Sequence, residues 1–154
     1  MPVAPTLKLA LVPGQLVTLT GELRTATFSL MVRLALLVTG FPYDVRDNPE
    51  RHLSFFQAFL MRAQGIRRDG SAALNLCYLA AGRFDGFWEA SLSPWDVAAG
   101  ALLIREADGI LTDYDGGPFR LETRRILASN GKLHEEMMGI LAGAGRSSLP
   151  DTRP

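Results

Sequence analysis

Two stretches, Ser71 to Ala81 and Trp95 to Ala107, carry helical punctuation at their ends and almost no charge between them. A helix that is apolar nearly all round must be buried on most sides. That requirement excludes any fold without a second packed layer. Gly82 supplies the left-handed residue that favours a C-cap after the first stretch, and Pro94 opens the second. Between them Phe84 to Glu89 reads as a strand, with Asp85, Phe87 and Glu89 on one face and Phe84, Gly86 and Trp88 on the other. Leu34 to Val38 reads as a buried strand stopped by Gly40 and Pro42, and Ile66 to Arg68 as a short one. Ile110 to Thr112 and Ile126 to Ala128 follow, with Asp115-Gly116-Gly117 as a turn between them. Leu53 to Arg62 and Lys132 to Leu141 have helical spacing, the latter with Asn130 as a candidate cap. Strands alternating with buried helices imply a layered α/β arrangement.

The 154 residues are 47% apolar and 21% charged, with sixteen basic against sixteen acidic side chains. A chain of this length buries roughly 70% of its unfolded surface, so one domain needs no disulfide or metal staple. Balanced charge argues against nucleic-acid or membrane-surface binding, since both rely on excess positive charge. The single Cys77 excludes an intrachain disulfide or a cysteine-built zinc site and suits a cytoplasmic protein. It falls inside an apolar helix and reads as a core thiol. Apolar runs such as Leu34 to Val38 are far short of the ~20 residues a bilayer demands. Leu9 to Val12 is broken by Pro13-Gly14 too early for a secretory signal. Residues 1–30 contain only Lys8, Glu22 and Arg24 as charges and form a compositionally distinct segment, with Gln15 to Thr20 strand-like. The tail from Gly143 is small and polar, and residues 146–154 are expected to be flexible.

Three places carry candidate chemistry. Gly70-Ser71-Ala72 opens a helix, where unpaired N–H groups and the dipole favour an anion; the same residues also read as a simple helix-start turn. Asp96 opens the second helix. It serves there either as a cap favoured by the dipole or as an oxygen ligand to Mg²⁺, which prefers carboxylates, phosphate oxygens and water. Glu89, at a strand end, is either solvated or accepts hydrogen bonds from a polyol. His52 and His134 have no partner at zinc spacing and read as surface residues. Arg67-Arg68 and Arg124-Arg125 read as exposed faces. No serine sits in a G-x-S-x-G elbow.

The ordered series Gly70-Ser71-Ala72-Ala73-Leu74-Asn75-Leu76-Cys77, Ala80 to Glu89 and Pro94-Trp95-Asp96-Val97-Ala98-Ala99-Gly100 resembles the inositol monophosphatase family. Trp95-Asp96-x-Ala98-Ala99-Gly100 looks like that family's second signature. The likeness runs on through Glu106-Ala107-Asp108-Gly109, Thr112-Asp113, Gly116-Gly117-Pro118-Phe119 and Ala128-Ser129-Asn130. Upstream, Thr39-Gly40-Phe41-Pro42-Tyr43-Asp44 is similar to bacterial members. Coverage extends from about Leu34 to Leu141, within a family-like region at 31–145.

The resemblance implies the family's layered α/β sandwich, C-terminal half only, and Mg²⁺-dependent hydrolysis of a phosphate monoester by a metal-activated water. Inositol 1-phosphate is the first-choice substrate; histidinol phosphate, fructose bisphosphate and a nucleotide bisphosphate are the alternatives. Gly70, Ser71 and Ala72 would contact the substrate and Glu89 would bind a ring hydroxyl. Asp96 would hold Mg²⁺ and approach the ester, which makes it the catalytic residue. Family members are commonly dimers, and a homodimer stays open for this chain. The family's first signature, Asp-Pro-(Ile/Leu)-Asp-Gly-Thr, and its upstream glutamate are absent from the sequence; at the near-mimic Asp69-Gly70-Ser71, the place three before Asp69 is Ile66. A truncated or frameshifted reading would explain this, and a non-catalytic phosphatase-like module is the competing expectation. Without the missing layers, the two apolar helices would expose one face each, which predicts association.

Overall fold

A computed structural model describes residues 6–12, 15–20, 31–47 and 49–147. β1 (Thr6–Val12) and β2 (Gln15–Thr20) form an antiparallel ladder of their own, pairing Thr6 with Thr20. The remainder of segments 1–30 and 146–154 beyond Ser147 lies outside the described residues.

The main sheet draws on five short strands: β3 (Leu36–Thr39), β4 (Gly65–Arg67), β5 (Gly86–Ala90), β6 (Ile110–Thr112) and β7 (Arg125–Ser129). Their spatial order is β4-β3-β5-β7-β6. β4, β3 and β5 run parallel, while β7 is antiparallel to both β5 and β6. Parallel neighbours require crossovers, and the helices α1 (Pro49–Leu60), α2 (Ala72–Ala80) and α3 (Pro94–Glu106) occupy the connections from β3 to β4, β4 to β5 and β5 to β6. α4 (His134–Ser147) closes the described chain.

Alternation along the strands sorts the core into two halves. Leu37, Trp88 and Leu127 pack with Phe55, Phe59, Met137 and Leu141 of α1 and α4. Val38, Phe87, Ile126 and Ala128 pack with Leu76, Leu79, Val97 and Ile104 of α2 and α3. The sheet is therefore covered on both faces, as an α/β sandwich. The face split expected for Phe87 against Trp88 is observed, whereas Phe84, which precedes β5, packs on the Phe87 side rather than with Trp88. Trp88 stacks on Phe59 with ring centroids 4.1 Å apart.

Several expectations are corrected by long-range contacts. His134 is buried, with its ring nitrogens 2.9 Å from Thr112 Oγ1 and 3.0 Å from Ser129 Oγ. Burial holds its pKa below the usual imidazole value, so the neutral ring ties β6 and β7 to the start of α4. Arg125 is not a free surface cation: it pairs with Asp113 at 2.8 Å. Cys77 is half-buried rather than a fully enclosed core thiol. α4 runs through the glycines at 143 and 145 to Ser147, so the tail is helical further than composition predicts. Asn130 caps a turn ahead of α4, accepting from Lys132 N, and does not cap the helix itself. Nor are α2 and α3 buried on most sides: Leu74 is 54% exposed, Leu102 58% and Trp95 81%. No helix among the described residues is long and apolar enough to cross a membrane.

Candidate active site

The parallel strands β4, β3 and β5 all end on the same edge of the sheet, at Arg67, Thr39 and Ala90. α2 and α3 start immediately after β4 and β5, so both helix N-termini lie at that edge. In open α/β sheets this is where ligands bind, because the helix starts present unpaired N–H groups.

Gly70 takes φ +85°, a conformation that side chains rarely adopt, and nothing lies within 4 Å of where its Cβ would sit. Its backbone is thus open to close approach. Ser71 is extended (φ −139°, ψ 106°) and its hydroxyl accepts from Leu74 N at 3.4 Å, the geometry of an N-cap. Ala72 is the first residue of α2.

Asp96 stands three residues into the start of α3, where its Oδ2 accepts from Ser93 N at 2.9 Å. The Asp96 N–H in turn donates to the Ser93 carbonyl at 3.0 Å. One carboxylate oxygen is therefore committed to capping; no described residue hydrogen-bonds the other. The side chain is half-buried, neither walled off nor free in solvent. The cap and the ligand readings use different oxygens of the same carboxylate.

Glu89 shares the α2/α3 side of β5 with Phe87. Its carboxyl rests directly on Gly40, where any Cβ would overlap it. Burial first, and then the Asp96 carboxylate, raises its pKa from 4.5 to about 7, while Arg68 pulls the other way. Arg68 lies 5.9 Å from the centre of the Phe41 ring, which packs on Phe56 at 5.5 Å. Glu89 is thus not the solvated strand end that spacing alone suggests. The fold brings Glu89 and Asp96 into electrostatic contact and sets Gly70, Ser71 and Ala72 at the same edge of the sheet. Gly40 and Arg68 complete the group. The sequence marks no site role for Gly40, although its place after a buried strand is a usable signal; Arg68 is exposed as expected, and its charge still acts on Glu89.

For a metal, the donor set is sparse. Among the described residues no group of three His, Cys, Asp or Glu side chains converges on a point where an ion could sit. Mg²⁺ demands near-octahedral oxygen coordination, commonly one or two carboxylates with phosphate oxygens and waters. These residues do not by themselves fit a complete Mg²⁺ centre.

Residues 13–145 match the profile of the inositol monophosphatase family. A protein from Synechocystis sp. named inositol-1-monophosphatase is 48% identical over 108 residues, covering 70% of this chain and 38% of that protein. A Pseudomonas aeruginosa protein named Nus factor SuhB is 46% identical over 106 residues, covering 68% of this chain and 39% of its own length. The solved structure of inositol monophosphatase from Anabaena superposes with a TM-score of 0.70 at 46% identity, over 73% of this chain and 46% of that one. The chain thus spans about two fifths of the length of the curated relatives it matches.

Proposed function

This chain belongs to the inositol monophosphatase family, and from that premise we propose that its residues serve the Mg²⁺-dependent hydrolysis of a phosphate monoester, with inositol 1-phosphate as the substrate. The observation that carries the reading is the meeting of Glu89 and Asp96, two interacting carboxylates, at the sheet edge where α2 and α3 begin.

Each group has a physical assignment. The N–H groups of the Gly70-Ser71-Ala72 turn face an anion without the cost of reorganisation, so they hold the substrate. Glu89 in its ionised form accepts hydrogen bonds from ring hydroxyls, and Gly40 beneath it fixes where the carboxyl sits. Asp96 is the catalytic carboxylate and one metal ligand, using the oxygen that capping leaves unbonded. Asp96 would hold Mg²⁺ only together with oxygen ligands beyond the described residues, and the ion would then supply water activation and charge neutralisation.

The second reading is a phosphatase-like module without catalysis, and the sparse donor set among the described residues favours it for the chain alone. One assay separates the two. Phosphate release from inositol 1-phosphate with Mg²⁺ is compared between the chain and Asp96→Asn, with histidinol phosphate, fructose bisphosphate and a nucleotide bisphosphate as competing substrates. The first reading expects release that falls ~100-fold in the variant, as for loss of a group that stabilises transition-state charge. Equal release by both proteins would overturn the Asp96 assignment. A folded chain that releases none supports the module.

A further inference from the structure

A cavity of about 400 Å³ opens at the end of β5, next to Glu89 in sequence but lined by Ala90 and Ser91. Strand alternation separates the two: Glu89 projects with Phe87 toward α2 and α3, whereas Ala90 packs with the α1/α4 core and lines the cavity. The cavity shares no lining residue with Gly70, Ser71, Ala72, Glu89 or Asp96. Its size lies within the range that encloses small-molecule ligands.

Its walls combine basic groups with an aromatic surface. Arg51 and His52 of α1, with Arg124 and Arg125 at the entrance to β7, supply the basic side chains. Phe55 and Tyr114 supply the rings, in an edge-to-face pair with centroids 5.6 Å apart. Two carboxylates act on Tyr114: Glu89, and Asp113, which is already engaged, accepting from Arg125 at 2.8 Å and from Tyr114 N at 2.6 Å. The Arg125–Asp113 pair is neutral, and Arg51 and Arg124 outnumber the single Glu89 carboxylate, so the cavity keeps excess positive charge.

Two of these groups are held in place before any ligand arrives. Arg124 Nε donates to the Leu92 carbonyl at 3.1 Å and Nη2 to the Ser91 carbonyl at 3.2 Å. These bonds employ two of its five N–H groups. Its backbone is left-handed at φ +56°, a conformation that persists in a non-glycine residue only where the surroundings fix it. Arg125 is anchored by Asp113 and lies 5.8 Å from the centre of the Tyr114 ring. Burial first, and then Glu89, raise the pKa of the Tyr114 hydroxyl, while Arg125 and Arg51 stand near enough to oppose them. Guanidinium groups present planar forks that match phosphate oxygens, and held groups lose less freedom on binding.

We propose that this cavity is a second binding site, at the same sheet edge as Glu89 but with a lining of its own, for a small phosphomonoester with an aromatic or similarly flat apolar body. The phosphate would sit among Arg51, Arg124 and Arg125, and the body against Phe55 and Tyr114. The site is independent of whether the chain hydrolyses anything.

The test is residue-resolved: ¹H–¹⁵N spectra of the full chain titrated with phenyl phosphate, inorganic phosphate and phenol. Saturable shifts at Ser91, Tyr114 and Arg125 are expected with phenyl phosphate, weaker ones with inorganic phosphate, and none with phenol. Arg51→Ala, at an exposed position, should weaken binding about tenfold or more, corresponding to loss of one charge-assisted contact. Arg51→Lys should recover part of it, and Asp96→Asn should leave it unchanged. Shifts confined to Gly70–Ala72, an unchanged dissociation constant in Arg51→Ala, or no saturation with phenyl phosphate would each overturn the proposal.

Discussion

At Glu89, burial and the Asp96 carboxylate push the same way while Arg68 opposes them, leaving a proton that comes off near pH 7. A carboxyl poised there changes charge within the physiological range, which an ordinary glutamate does not. Because the folded value exceeds the unfolded one, the fold holds this proton more tightly than the unfolded chain does. The stabilisation from that proton is complete below pH 4.5 and is lost as pH rises through 7. The loss is on the order of 1–3 kcal/mol, at the lower end because the side chain is only partly buried. In ¹³C spectra the Glu89 carboxyl should titrate near pH 7, moving down in Asp96→Asn and further up in Arg68→Ala. Glu89→Gln should flatten the fall in melting temperature between pH 5 and pH 8. A Glu89 midpoint that ignores Asp96→Asn would break the electrostatic link between the two carboxylates.

Between elements, α2 and α3 approach through Gly100, where a Cβ would overlap Leu76. On the same buried side of α2, Asn75 is fully enclosed and neither polar atom of its amide finds a partner. An amide buried without a hydrogen bond costs about 1–3 kcal/mol. Asn75→Leu, similar in volume, should therefore stabilise the chain by ~1–2 kcal/mol in denaturant titrations. A loss of stability of that size would mean the amide is satisfied in solution. Much at this scale was legible from sequence: Gly82 and Pro94 bounded α2 and α3 to within a residue, and alternation assigned the faces of β5. The Ser71, Glu89 and Asp96 positions were legible because each stands at an element end. His134, the Arg125–Asp113 pair and the Arg51 cavity were not. Each joins side chains from elements far apart in sequence, and no local period or cap marks such a meeting. Asn75 also escaped notice, since a single polar residue in an apolar helix carries no sign of whether it will find a partner.

For the whole molecule, the sheet is satisfied on both faces, yet the helix layer of α2 and α3 is apolar on its outer side too. Trp95, Ala98, Ala99 and Leu102 are exposed at helical spacing along α3, and Leu74 is exposed on α2. Interior-type sequence facing water is the pattern that drives association, and the chain has no net charge to oppose it. Two copies that bring these stripes together would remove the large side chains of Leu74, Trp95 and Leu102 from water, each worth ~1.5–3 kcal/mol when fully buried. Light scattering over a range of concentrations should show self-association of the chain. Leu74→Lys with Leu102→Glu should shift it to monomer while leaving the melting temperature of the monomer nearly unchanged, because both positions lie outside the packed core. A wild-type chain that stays monomeric at high concentration would show that this stripe tolerates water as it stands.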